Sequence, residues 1–230
     1  MNQKKSITIC FLFLLLSLST IECTADEQWG GNLGLSYWHP DWTNEQNDFC
    51  SSTPGLFGPT LFVHVKNLGL SFQYFTGGFD LDFQNSSQTL SANRTDMDII
   101  LSYRLAKYFQ LSSLYKNIQF DWKQTYKVES KLSGFGFGGG FNSVFSEKYL
   151  CYGFGFVMPK LDYSQTIFLG HDLSGDADGY WLEGGLGYIL SDWRLIMKLG
   201  YRYQYLSIEA DTRDWTEKTE GLRVDISYYF

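Results

Sequence analysis

Apolar residues recur at every second position along nearly the whole chain beyond residue 30. Leu33, Leu35 and Tyr37 alternate with Asn32, Gly34 and Ser36, and Leu68, Leu70, Phe72 and Tyr74 alternate with Gly69, Ser71 and Gln73. The same rhythm runs through residues 61–65, 99–103, 135–141, 150–156, 182–190, 195–201 and 222–230. A period of two is the side-chain period of a β-strand, so each segment has one apolar face and one polar, charged or glycine face. In residues 108–122 the apolar phase switches near Lys116, from Phe109 and Leu111 to Ile118, Phe120 and Trp122, and a β-bulge is the expected cause. Together these segments predict ten strands, or eight if the weakest are dropped.

The connections alternate as well. Residues 66–68, 106–108, 142–148 and 191–193 are short links, whereas 39–58, 76–95, 124–131, 158–179 and 207–220 are long and polar. Short turns at one end, long loops at the other and an even strand count are the features of a closed antiparallel transmembrane β-barrel. A strand of about ten tilted residues crosses a bilayer. The apolar set of each strand, Leu150, Tyr152, Phe154 and Phe156 included, is then expected on the lipid face. Tyr and Trp at strand ends (Tyr37, Trp38, Trp42, Tyr74, Tyr103, Tyr201, Tyr203 and Tyr205) fit interfacial belts. The opposite face carries charges of both signs: Asp96, Asp98, Arg104, Glu183, Arg194, Lys198, Arg202, Arg223 and Asp225. In a narrow lumen these are expected to pair into a plug, because an unpaired charge there is costly. A lumen ring of one sign would instead make a pore. A soluble barrel or sandwich, with its apolar faces turned inward, is the rival architecture.

Composition narrows the class further. Residues 1–25 begin with Lys4 and Lys5, continue into an apolar run and end on small residues at Cys23 and Ala25, the pattern of a secretory signal peptide. Residues 26–230 form the expected barrel domain. Loss of Lys4, Lys5 and Glu22 with the leader takes the formal charge from −7 to −8. With no basic stripe, nucleic acid is not an expected partner. Cys50 and Cys151 fall at opposite ends of the predicted barrel, so a disulfide between them is not expected. No cofactor is implied.

The segments 96–105, 134–141, 181–190, 198–205 and the closing "GLRVDISYYF" (221–230) resemble the superfamily of small bacterial outer-membrane barrels, OmpA/OmpX/OmpW-like. That resemblance implies a Gram-negative outer-membrane location, contact with lipid and lipopolysaccharide, and recognition of C-terminal Phe230 by the barrel-assembly machinery. It implies no activity, since such barrels serve structural, adhesive, pore and enzymatic roles. Asp80 and Asp82, with His171 and Asp172, resemble the carboxylate and His/Asp pairs of the omptin outer-membrane proteases, although His171 directly precedes Asp172 where that family has Asp-x-His. Asp172, Ser174, Asp176, Asp178 and Glu183 have the spacing of a calcium loop, with Ala177 where the turn needs glycine. The expectation is a structural or surface-interaction barrel with a charge-plugged lumen and no catalytic or metal-binding residues. A narrow pore and an omptin-like protease are the alternatives.

Overall fold

The computed structural model describes residues 29–44, 49–52, 55–83, 89–123, 128–167, 172–211 and 213–230. The expected leader, residues 1–25, lies outside them. Among the described residues the strands are β1 (Trp29–Asn44), β2 (Phe49–Ser52), β3 (Leu56–Val65), β4 (Leu68–Phe83), β5 (Thr89–Arg104), β6 (Phe109–Lys123), β7 (Val128–Val144), β8 (Tyr149–Ile167), β9 (Leu173–Leu190), β10 (Leu195–Ala210) and β11 (Arg213–Tyr229). Strands β2 and β3 each lie between β1 and β4 and run in the same direction, so they form one broken stave. Ten antiparallel staves result, and β11 closes onto β1 from Asn32↔Tyr229 to Asn44↔Glu217. Closure gives every described strand a neighbour on both sides, as lipid requires. At the final residue, the Phe230 N–H donates to Gly31 O at 3.0 Å and the Gly31 N–H donates to Phe230 O at 3.2 Å.

The short connections lie where the alternation predicts them, at one rim. The long ones do not: most of residues 39–58, 76–95, 158–179 and 207–220 is strand, so staves run to 19 residues in β8. The reason lies in the polarity of the two faces. In the lower part of the barrel, toward the short turns, Leu61, Leu70, Leu101, Leu186, Leu199 and Val224 point outward. Higher on the same staves the outward positions become Asp41, Asn93, Lys131, Lys160, Asp176 and Glu209, while Trp42, Phe79, Phe120, Leu161, Ala177 and Ile208 point inward. Each stave is built as a membrane strand below and as a water-soluble strand above. A reader looking for outward apolar residues sees the upper half as loop.

This inversion also corrects the bulge expected at Lys116. The β6 register is unbroken from Phe109↔Phe141 to Trp122↔Val128. Leu111 faces outward, and Ile118 and Phe120 face inward because the surroundings of the strand change, not its phase. The extra residue sits in β8 instead. Phe135 pairs with Lys160 but Phe137 with Val157, and Met158 pairs with Gly179 but Leu161 with Ala177. Pro159 occupies the bulge, a place where its missing N–H costs no ladder bond.

Strand β8 has the reverse of its expected orientation. Leu150, Tyr152 and Phe156 are buried in the lumen, and Cys151 and Val157 face outward. Periodicity defines two faces but not which one meets lipid. Here the neighbours decide: a Cβ on Gly200 would lie 2.3 Å from Tyr152 Oη, and one on Gly140 would lie 2.3 Å from Phe154 Cδ1. Glycines inside the adjoining wall leave the room that these rings fill. Trp38 and Trp42, expected in the aromatic belt, are likewise lumen residues, since they share the phase of Ser36 rather than that of Tyr37.

Leu199 pairs with Leu186 and Val224 in the middle of the outward apolar band and is 57% exposed. Leu199→Arg is expected to cost roughly 2–4 kcal/mol of folding stability in bilayers. Equilibrium unfolding from lipid vesicles measures it; an unchanged midpoint would show that this band does not meet hydrocarbon.

Candidate functional site: the closed lumen

Alternation puts Ser36, Gln73, Asp96, Asp98, Lys116, Glu183, Arg202, Arg223 and Asp225 on the inner wall at about mid-height, and they meet across it. Strands β5 and β10 are five staves apart in a barrel of ten, so they face each other. Arg202 on β10 spans the gap: its Nη1 donates to Asp98 Oδ2 at 3.2 Å and its Nη2 to Gln73 Oε1 at 2.7 Å. Its Nε donates to Glu183 Oε2 at 2.8 Å on the neighbouring strand. A planar guanidinium with five fixed donors suits this three-way bridge, which a lysine could not reproduce.

The network extends from there in both directions. Lys116 donates to Asp98 Oδ1 at 2.7 Å and approaches Asp96 at 3.8 Å. Arg94 grips Asp96 with two bonds of 2.7 and 2.8 Å and reaches Thr219 Oγ1 at 3.1 Å. On the other side Arg223 donates to Gln73, to both oxygens of Glu183 and to Asp225. Ser36 accepts from Arg223 at 3.2 Å and donates to Asp225. Four cations (Arg94, Lys116, Arg202, Arg223) balance four carboxylates (Asp96, Asp98, Glu183, Asp225). All eight side chains are buried. Bidentate, charge-assisted bonds of this kind satisfy the groups that burial has stripped of water.

Aromatic rings complete the coordination of the cations. The Arg202 guanidinium lies 4.5 Å from the Trp181 ring centre, 5.1 Å from Phe75 and 5.2 Å from Trp38. Arg94 sits 5.4 Å from Trp38 and 5.3 Å from Phe120. Ring faces attract cations where water is absent. Directly above, an apolar layer of Trp42, Phe79, Ile118, Phe120, Trp181 and Leu206 fills the upper lumen. Trp42 stacks on Phe120 at 5.0 Å and meets Phe79 edge-on at 5.2 Å. Two layers thus cross the lumen, one of paired charges and one largely apolar.

Of the residues expected in this network, Arg202, Arg223, Asp225, Glu183, Asp96 and Asp98 are in it. Lys198 lies just below, half-buried over the Tyr152 ring at 5.5 Å. Arg104 and Arg194 are not members: both are exposed at the short-turn rim. Arg94, Lys116, Gln73 and Ser36 were missed as partners. Arg94 lies in the expected loop 76–95 and Lys116 at the expected bulge, although the parity that Lys116 shares with Ile118 and Phe120 marks its inward face.

The other candidate constellations separate. Asp80 is exposed on the outward phase of β4 and accepts a hydrogen bond from Ser91 Oγ. Asp172, also exposed, lies on the opposite wall at the start of β9, so Asp80 points away from it. The side chains of Asp82 and His171 fall outside the described part of the structure. The calcium-loop spacing corresponds to no loop: Ser174, Asp176 and Asp178 are alternate outward positions of β9, and Glu183 lies in the lumen. Cys151 carries a free thiol on β8 near the short-turn rim, and Cys50 in β2 lies at the opposite rim.

No family model and no curated protein matches the chain. Among solved structures it is similar to the outer membrane protease OmpT of Escherichia coli, with 9% identity and a TM-score of 0.51 over 93% of this chain and 100% of that one. Neisserial surface protein A, NspA, shares 10% identity at a TM-score of 0.41 over 87% and 97% of the two chains. Ail, the attachment invasion locus protein of Yersinia pestis, shares 11% at 0.36 over 89% and 100%. The likeness to OmpT is one of fold: a closed antiparallel barrel of the outer-membrane type. With its outward apolar band and closed edges, this barrel is an integral protein of the bacterial outer membrane.

Removing one acid from the network tests whether it is interlocked. Glu183→Ala leaves Arg202 and Arg223 short of a carboxylate and is expected to cost about 3 kcal/mol or more. Asp211→Ala, at an exposed site bonded to Ser174, should change stability by roughly 0.5 kcal/mol or less. Urea titrations in the same vesicles compare them; equal losses would mean that the lumen groups are hydrated.

Proposed function

We propose that this protein is a non-conducting outer-membrane barrel with a structural or surface-interaction role, its lumen sealed as a plug. The observation that supports this most is the Arg202 bridge to Asp98 and Gln73, because it joins opposite walls and is 0% exposed. A steady ion path through this layer would require breaking several charge-assisted bonds at once. The upper barrel, polar outside and packed inside, then serves as a rigid stalk that carries the loop ends above the membrane surface.

The same reading assigns the chain no catalytic role, since Asp80, on the outward phase of β4, turns away from the lumen and from Asp172 on the opposite wall. Lipid and lipopolysaccharide would contact the outward apolar band. Phe230, 45% exposed on the face shared with Tyr228 and Ile226, would serve the assembly machinery. Planar-bilayer recording of refolded protein tests the plug. Only rare, brief openings are expected; a steady conductance would replace this reading with that of a narrow pore.

A further inference from the structure

The short turns share a chemistry that lumen closure does not use. They are Lys66–Asn67 between β3 and β4, residues 105–108 between β5 and β6, 145–148 between β7 and β8, and 191–194 between β9 and β10. Each carries an exposed basic side chain: Lys66, Lys107 with Arg104 beside it, Lys148, and Arg194. Glu147 and Asp192 offset part of this, leaving four cations on the turns, and Arg104 beside them, against two acids. None of Lys66, Arg104, Lys148 and Arg194 is in an ion pair among the described residues. The opposite rim is acidic on its outer face, with Asp176, Glu209, Asp211 and Asp214 clustered there.

Two further observations fall on the same rim. Lys66 (φ 54°) and Arg194 (φ 52°) are the non-glycine residues with left-handed backbone among those described. That conformation suits glycine or asparagine and costs a long side chain roughly 1 kcal/mol. Both strained positions hold cations. Large rings also stand out from these turns: Trp193 is 72% exposed and Phe145 62% exposed, directly below the apolar band. Exposed aromatic residues at that level insert at the membrane interface and bring neighbouring cations to headgroup depth.

Outer-membrane barrels set their short turns on the periplasmic side, and we infer that this rim is a recognition surface for anionic phospholipid headgroups of the periplasmic leaflet. The cations meet the phosphates, the rings hold the rim at interfacial depth, and the left-handed turns are retained because they aim Lys66 and Arg194 at the headgroup layer. Backbone strain that persists where glycine would remove it is a sign of a side chain kept for use.

The test compares folding equilibria in neutral phosphatidylcholine vesicles and in the same vesicles doped with phosphatidylglycerol, at low and high salt. The wild type should gain from the anionic lipid, and the gain should shrink at high salt. In Lys66→Gly/Arg194→Gly the gain should fall by about fivefold in the folding constant for each charge removed. In neutral vesicles this variant should be at least as stable as wild type, because glycine accepts the left-handed turn freely. Lys131→Gln/Lys160→Gln, at the other end of the barrel, should keep the full gain. Overturning results would be no gain in the wild type, an undiminished gain in the glycine variant, or an equal loss of stability by that variant in both lipids, which would make the two residues purely structural.

Discussion

Hydrocarbon offers backbone groups no hydrogen-bond partner, and the rest of this structure depends on that constraint. A sheet in lipid must close, and closing ten staves fixes the width of the space they enclose. That space is too wide for small side chains and too narrow to hydrate eight ions freely. Long side chains of opposite sign solve the problem: Arg202 and Arg223 reach to the middle and find Asp98, Glu183 and Gln73 there. Burial would be prohibitive for any of these charges alone and is tolerable for the balanced set.

The second organising feature is the reversal of polarity along each stave. Below, lipid demands apolar residues outside and leaves the inside to polar groups. Above, water demands the opposite, and the inside becomes a mainly apolar core of Trp42, Phe120, Leu161 and Ile208, with Glu217 buried at its edge and bonded to Trp215. The charge layer sits near the changeover. It therefore lies between a glycine-rich lower lumen, where Tyr152 packs over Gly200, and an apolar upper lumen that excludes water from its other side.

How much of this was legible in the chain follows from the same physics. Alternation shows a closed barrel, its ten staves and the outward placement of Leu101, Leu186 and Leu199, because hydrophobicity and parity agree in the lower half. It does not show the upper half, because there the apolar positions turn inward and only an outward apolar face marks a membrane strand. By that mark Ile118 and Phe120 become a bulge and residues 158–179 a loop. Strand β8 misleads for a related reason, since which of its faces meets lipid depends on glycines in other strands. The charge network was half legible: Arg202, Glu183 and Asp98 share a phase, but that Arg202 and Asp98 face each other, five staves apart in a barrel of ten, depends on closure, which no single segment displays. The left-handed Lys66 and Arg194 left no trace in the pattern at all.

The polarity reversal places the outer membrane surface at a particular level on every stave. Spin labels at single cysteines along the outward phase of β10, from Leu199 through Tyr201, Tyr203 and Tyr205 to Ser207 and Glu209, would read that level directly in a background lacking Cys50 and Cys151. Accessibility to oxygen should dominate at Leu199, accessibility to a water-soluble paramagnet should dominate at Glu209, and the crossover should fall between Tyr203 and Ser207. A label at Glu209 that reports lipid, or one at Leu199 that reports water, would contradict the division of this barrel into a membrane half and an aqueous half.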